Sequence, residues 1–341
     1  MNSSNITTGI LIVFGSVVAL IFGKVILAPF LFALLIYFLI RAIRRVIDLQ
    51  GFIRNHVPSW LKNIVAASII YSLLGVMIKV LIVNSEQLVQ AIIKYQGNMT
   101  NIVLRINETL GFDILKTVNE SIKNLDYSTI ANTLFNQFTS MTGNLLMILF
   151  YILFLFIEEA SFKEKLHLIF RGEKHQRISL LLNNIEKSIT HYIGLKTLIS
   201  LISGVCCFIV LVSFGVESPL FWSFIIFIMN FIPIIGALLG VLLPTAFSLI
   251  QFGEFFLPTI LLLILGSVQT IISNILEPKL MGDSLNISPL VALLSLAIWG
   301  SIWGITGMVV SVPITVILII LLAQFPHTRT IAILLSHHGK I

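Results

Sequence analysis

Long apolar runs, broken at a few sharply defined points, organise this chain. From Thr7 to Ile40 nearly every position is apolar. That stretch is too long for one membrane span of about 20 residues and short for two. Gly23-Lys24 and Pro29 offer a break, so the pattern predicts a tight helical hairpin over about 7–23 and 25–41. A third span follows over about Ile64–Val83, and a fourth over about Gly143–Ile157, closed by Glu158-Glu159. Between them the chain turns polar, with scattered charges of both signs. Apolar positions recur there at spacing four, as Ile114, Val118, Ile122 and as Ile130, Leu134, Phe138. Each trio shares one helix face, and Asp113 and Ser128 stand where N-caps belong. After Glu159 a second polar segment carries Lys163, Lys165, Arg171, Lys174, Arg177 and Lys187, with an amphipathic run from Ile178 to Ile189. Further apolar stretches cover about 192–213, 219–251, 255–276 and 285–324.

These patterns predict an all-α, polytopic helical membrane protein of about eight spans, with broken or re-entrant segments in the C-terminal half. Residues 1–83 form the N-terminal transmembrane helices and 84–141 an extramembrane amphipathic helical region. A transmembrane helix at 142–158 and a cytoplasmic amphipathic segment at 159–191 follow, then a transmembrane transport core at 192–324 and a C-terminal tail at 325–341. Length alone leaves open whether 219–251 crosses twice, re-enters or forms one long tilted element, and 285–324 is equally open.

Composition narrows the class. Of 341 residues, 57% are hydrophobic and only 11% charged, against about 25% charged in soluble domains. The runs are continuous rather than alternating, which favours helices over a membrane barrel. The net charge of +6 does not point to nucleic acid, because the basic residues sit beside apolar spans. Arg41, Arg44, Arg45, Arg54 and Lys62 follow the first apolar stretch and place that loop, and by parity the N-terminus, in the cytoplasm. The same cluster suits anionic lipid head groups. Residues 1–6 hold no Lys or Arg, so the basic n-region of a signal peptide is missing there. Cys206 and Cys207 are adjacent inside an apolar run and read as packing residues; no metal site and no cofactor are expected. His167, His175 and His191 also lack ligand spacing.

The breaks carry the candidate chemistry. One is Asn230-Phe-Ile-Pro233-Ile-Ile-Gly236, continuing to Gly240; a second is Asn274-Ile-Leu-Glu277-Pro278-Lys279-Leu-Met-Gly282; a third runs from Gly300 through Gly304 to Gly307, with Pro313 beyond. Broken backbone in lipid is tolerated only where protein or a water-filled cavity satisfies it, and interrupted apolar segments point to transport sites. The plainer alternative is packing: Gly236 and Gly240, and Gly300 and Gly304, have GxxxG spacing. Charges inside spans cost about 2.5–3.5 kcal/mol at a helix centre. The candidates are Lys196, Glu277 and Lys279. Glu277 precedes Pro278, where an ending helix would leave carbonyls unpaired. It can take a proton, bind Na⁺ or pair with Lys196 or Lys279; equally, it can close a helix end at the membrane boundary. Lys196 lies about one turn inside a span and can snorkel. Asn230, Gln269, Ser273 and Asn274 offer neutral hydrogen-bonding groups, for a cavity or as glue between helices.

An enzyme is not expected. The chain has no H-E-x-x-H, no Walker loop and no paired Asp motif, and Ser203-Gly204 has no His in a later span. Without an ATP-binding module, transport must run on an ion, proton or substrate gradient. Gly240-Val-Leu-Leu-Pro244-Thr245 and Gly307-Met-Val-Val-Ser-Val-Pro313-Ile-Thr315 share a gapped likeness that hints at an internal repeat.

The runs Asn230–Gly240, Asn274–Gly282, Leu290–Trp299 and Gly307–Pro313 resemble the autoinducer-2 exporter (AI-2E) family of bacterial membrane proteins. The segment Thr330–Ser336 resembles members close to the autoinducer-2 transporters of that family. The likeness extends to the early basic loop and to His191-Tyr192…Leu195-Lys196-Thr197. It implies an inner-membrane protein of about eight spans that exports the quorum-sensing signal autoinducer-2. It also implies a homo-oligomer, with pentamers described. Other members resemble Na⁺(Li⁺)/H⁺ antiporters. Two expectations follow: export of a small polar organic molecule past Asn230, Gln269, Ser273 and Asn274, or cation/proton exchange at Glu277. A structural membrane protein that passes nothing is the third.

Overall fold

The computed structural model describes residues 3–110, 127–282, 287–326, 328–337 and 339. Asp113 and the trio Ile114, Val118, Ile122 lie outside the described residues. In chain order the helices are α1 (Ser3–Phe22), α2 (Lys24–Ile47), α3 (Gly51–His56), α4 (Ser59–Lys94), α5 (Gln96–Leu110), α6 (Tyr127–Ile169) and α7 (Glu173–Ser213). Then come α8 (Pro219–Met229), α9 (Ile235–Phe252), α10 (Phe256–Ile271), a π-helical turn (Ile272–Leu276), α11 (Glu277–Met281), α12 (Pro289–Trp303), α13 (Ile305–Ala323) and α14 (Arg329–Leu335). Among the described residues, five helical runs are long and apolar enough to cross a membrane: Lys24–Ile47, Glu173–Ser213, Ile235–Phe252, Phe256–Met281 and Ile305–Ala323. Shorter apolar helices add to them. The protein is a polytopic helical membrane protein.

Helices run through several of the segment limits drawn above. Helix α6 is continuous through 142 and 158, and α7 through 191. Ser128 lies within helix α6 and not at an N-cap. The chain forms two compact units: Met1–Ala66, Gly143–Gly194 and Asp283–Ile341 make one, Ala67–Thr142 and Leu195–Gly282 the other.

In the first unit the expected hairpin at Gly23 is a kink. Gly23 keeps right-handed dihedrals (φ −74°, ψ 0°), donates to Ala19 O at 2.8 Å and accepts from Leu27 N at 2.8 Å. Helical bonding therefore continues through Gly23 at right-handed dihedrals, whereas the reversal between α12 and α13 turns on Gly304 at φ 65° and ψ −139°. Trp303 Nε1 donates to the Leu20 carbonyl at this bend, at 3.0 Å. Basic residues in the last turns of α2 and just beyond it have carboxylate partners. Arg41 pairs with both Glu159 and Glu186, and Tyr37 donates to Glu159 at 2.9 Å. The Lys62 ammonium is buried at 2.6 Å from Asp48. Such pairing offsets the desolvation that would expel a lone charge. Helices α12 and α13 fold back on each other, with Met308 against Gly300. The tail closes this unit: Ser288 N donates to Leu335 O at 3.2 Å, and Arg177 caps the Gln324 carbonyl at 3.1 Å.

In the second unit, α7 through α10 build a core around Cys207, Leu211, Ile226, Val241, Leu261 and Leu265. Helix α8 has 11 residues and so rises about 16 Å, roughly half of a hydrocarbon core about 30 Å thick. It cannot cross. Gly240 faces Ile226, and the Trp222 and Phe247 rings lie 5.2 Å apart, so α8 and α9 are antiparallel. Gln251 joins their outer ends, donating to Gly215 O at 2.8 Å and accepting from Glu217 N at 2.9 Å. The element is a re-entrant hairpin that returns to the side it came from. Asn98 of α5 caps that returning end, donating to Ile250 O at 3.2 Å and Gln251 O at 2.9 Å.

Candidate functional site

Helix α7 sorts its side chains in the sense opposite to a soluble helix. Leu198, Leu201, Val205, Ile209 and Val212 are exposed, while Lys196, Ser200, Ser203 and Cys207 are buried. The buried set stands at i, i+4, i+7 and i+11, one stripe of one face. The stripe is about 16 Å long at 1.5 Å per residue.

Each of the first three rungs meets a polar partner. Lys196 Nζ donates to Glu277 Oε1 at 2.6 Å. Ser200 Oγ accepts from Asn230 Nδ2 at 3.2 Å. Ser203 Oγ accepts from Gln269 Nε2 at 2.9 Å. Asn230 and Gln269 are each 3% exposed, so both amides are effectively withdrawn from solvent. The Gln269 Oε1 atom is buried with no hydrogen-bond partner among the described residues.

Three local features deliver these partners. Asn230 ends α8 at the hairpin tip. Pro233 follows, and its carbonyl accepts from Ile235 N at 2.6 Å. That bond closes a γ-turn centred on Ile234, which holds φ 63° and ψ −60°, the rarer and more strained γ-turn hand. Gly236 then passes so close to Met229 that a Cβ would lie 1.7 Å from its carbonyl oxygen. Gln269 lies on the buried face of α10 with Leu261 and Leu265, which Ile272 of the π turn continues. Glu277 follows the π turn, donating its N–H to Ile272 O. Pro278 has no N–H to give, so a carbonyl about one turn back loses its helical donor, and the wider turn absorbs the fault. Single π turns concentrate at functional sites. The helix does not end at Pro278, as its sequence suggested; it continues to Met281.

The structure separates the sequence candidates. Asn230, Gln269, Glu277 and Lys196 come together on the stripe. Lys196 is buried, not snorkelling, and it rather than Lys279 holds Glu277. Ser273 is half-buried, whereas Asn274, Pro278 and Lys279 are exposed. Pro233 and Gly236 shape the tip, and Gly240 seats α9 on α8. Gly300, Gly304 and Gly307 belong to the other unit. There Gly304 is the tip of the α12–α13 turn at φ 65°, not part of a helix face. Ser200 stands in no motif, and Ser203 only in the Ser203-Gly204 pair. Their spacing from Lys196 on an apolar helix was the signal available.

The two hairpins repeat one design. Ser218-Pro219-Leu220 opens the first and Ser288-Pro289-Leu290 the second. At the tips, Ile234 and Gly304 both hold positive φ. A Cβ on Gly307 would lie 1.8 Å from Trp299 O, as one on Gly236 would meet Met229 O. The register is thus Gly236 with Gly307, not the Gly240 with Gly307 match that the prolines suggested.

A model of the AI-2E family transporters matches residues 10–327. The chain belongs to that family. It is 28% identical to the AI-2 transport protein TqsA of Escherichia coli over 325 residues, 94% of this chain and 92% of that protein. It is 35% identical to a putative transport protein of Borreliella burgdorferi over 203 residues, 59% of this chain and 56% of that protein. A sodium-lithium/proton antiporter of Halobacillus andaensis is 24% identical over 239 residues, 68% of this chain and 67% of that protein. Family and relatives make this a multi-pass membrane transport protein.

Proposed function

We propose that this chain is a secondary transporter or facilitator that exports autoinducer-2 or a similar small polar molecule. The observation that carries the reading is the buried ladder of Ser200, Ser203, Asn230 and Gln269. A polar solute crossing a helical interior must exchange its water for fixed hydrogen-bonding groups, since each unsatisfied group in hydrocarbon costs several kcal/mol. The likeness to an AI-2 transport protein over most of the chain supports the substrate. The reading assigns transport rather than catalysis, in the bacterial cytoplasmic membrane, with the N-terminus in the cytoplasm and no nucleic acid or cofactor as partner. The outward apolar stripe of α7 supports contact with membrane lipids or with further copies in a homo-oligomer, for which the family resemblance implies five. The test is movement of labelled autoinducer-2 precursor into proteoliposomes that hold only this protein. Saturable movement above empty vesicles is expected, and its absence sinks the reading.

A Na⁺(Li⁺)/H⁺ antiporter is the second reading, favoured by the Lys196–Glu277 pair beside the π turn and by the antiporter relative. In the same vesicles, proton exchange driven by a sodium gradient and abolished by Glu277→Gln, without signal movement, would decide for it.

A further inference from the structure

Asn230 and Gln269 use their amides in the same way. Each donates its NH₂ to a serine hydroxyl of α7, Asn230 to Ser200 and Gln269 to Ser203. The two serines are three residues apart on one face, which brings their Cβ atoms to about 5–6 Å. The two amide heads therefore lie side by side, about one helical turn apart. Both amide oxygens remain uncommitted. Gln269 Oε1 is buried without a partner, and no donor reaches Asn230 Oδ1 among the described residues. A buried acceptor left unmade costs about 1–3 kcal/mol; Gln269 Oε1 is one, and Asn230 Oδ1 belongs to a residue that is itself only 3% exposed.

The charges nearby decide what fills them. The one carboxylate on the stripe, Glu277, is committed to Lys196 at 2.6 Å. A sodium ion at the amides would bring an uncompensated charge into the interior, one turn from the Lys196 ammonium. The penalty for a buried, unpaired ion is several kcal/mol. A neutral donor carries no such penalty. Two acceptors one turn apart are matched by two hydroxyls on neighbouring carbons.

We infer that Asn230 and Gln269 form a recognition site for a neutral molecule bearing adjacent hydroxyl groups, accepted by Asn230 Oδ1 and Gln269 Oε1. The inference rests on the transport reading and names the substrate class of that path. Ser200 and Ser203 act as positioning residues, because each holds an amide so that its oxygen faces the ligand.

The test uses the full-length protein in liposomes, with three labelled probes in separate arms: xylitol, sodium and autoinducer-2 precursor. Xylitol uptake should saturate, should be inhibited by unlabelled xylitol and should be indifferent to diethylene glycol, whose hydroxyls are not adjacent. These arms need only the wild-type protein. Gln269→Leu and Asn230→Leu should each lower xylitol uptake at least tenfold. Diethylene glycol inhibiting as well as xylitol overturns the inference. So does sodium uptake that depends on Gln269 without xylitol uptake, and so does an inert xylitol arm. Precursor movement that neither xylitol nor Gln269→Leu affects overturns the inference but leaves the proposed function standing. Xylitol uptake without precursor movement keeps the inference and transfers the function to another polyol.

Discussion

Lys196 Nζ lies 2.6 Å from Glu277 Oε1, and the two side chains are unequally buried, at 5% and 24% exposure. The inequality predicts an asymmetry. Glu277→Gln strands a nearly enclosed ammonium, whereas Lys196→Met strands a carboxylate that still reaches some solvent. Breaking a buried pair costs about 3–5 kcal/mol. Glu277→Gln should sit at that level and Lys196→Met below it, with the double variant Lys196→Met/Glu277→Leu recovering most of the loss. Denaturant unfolding in detergent micelles measures all three. Equal losses for the two single variants would mean that the pair is not the enclosed contact described here.

What was legible beforehand follows from what each signal depends on. The breaks at Asn230–Gly236 and Gly300–Gly307 were readable, because Pro, Gly and Asn inside apolar runs report local backbone geometry. The partner of Glu277 was not. Lys279 is two residues away and Lys196 is 81, and only the folding of α7 beside α10 and α11 makes the distant lysine the near one. Ser200 and Ser203 were readable in principle from i, i+4, i+7 spacing with Lys196, but a serine in an apolar helix more often bonds its own backbone. At Gly23 composition marks a break without giving its angle, so a kink and a reversal read alike in the sequence.

Ile234 holds φ 63°, a conformation that a β-branched residue rarely adopts and that costs about 1–3 kcal/mol. Its counterpart in the second hairpin is Gly304. Ile234→Gly should therefore leave thermal stability unchanged or raise it, the relief of strain outweighing the roughly 0.5–1 kcal/mol that glycine loses in chain entropy. Ile234→Val keeps the strain and should not stabilise. A fall in Tm for Ile234→Gly larger than for Ile234→Val would show that the turn is not strained.

Gly236 and Gly307 leave no room for a side chain, since a Cβ would lie 1.7 Å from Met229 O and 1.8 Å from Trp299 O. Alanine at either position must push the two arms of its hairpin apart. Gly266, in contrast, has open space around its Cβ direction, and in mid-helix alanine is favoured over glycine by about 1 kcal/mol. Gly236→Ala and Gly307→Ala are expected to lower Tm and the yield of folded protein in detergent, while Gly266→Ala raises Tm or leaves it level. Tolerance of alanine at both hairpin positions would contradict the tip geometry.

Glu217 lies in the loop between α7 and α8, where it accepts from Lys94 at 2.8 Å and from Tyr95 at 2.7 Å. Burial acts to raise its pKa, but the hydrogen bonds from Lys94 and Tyr95 and the lysine's charge outweigh it and hold the carboxyl below its ordinary value of 4.5. Because the folded value is the lower one, the unfolded chain binds more protons between the two values, and stability rises with pH across that interval. The contribution is thus fully present above about 4.5 and is lost as pH falls through the depressed folded value. The Lys94 ammonium is shifted upward by the same contact, so it stays charged throughout and the carboxylate alone sets the window. Glu217→Gln should flatten the acid limb of the Tm-against-pH curve for the purified protein while leaving its shape near neutrality unchanged. If the acid limb of Glu217→Gln overlays that of the parent, the Lys94–Tyr95–Glu217 contact does not tie α4 and α5 to the hairpin's outer end in solution.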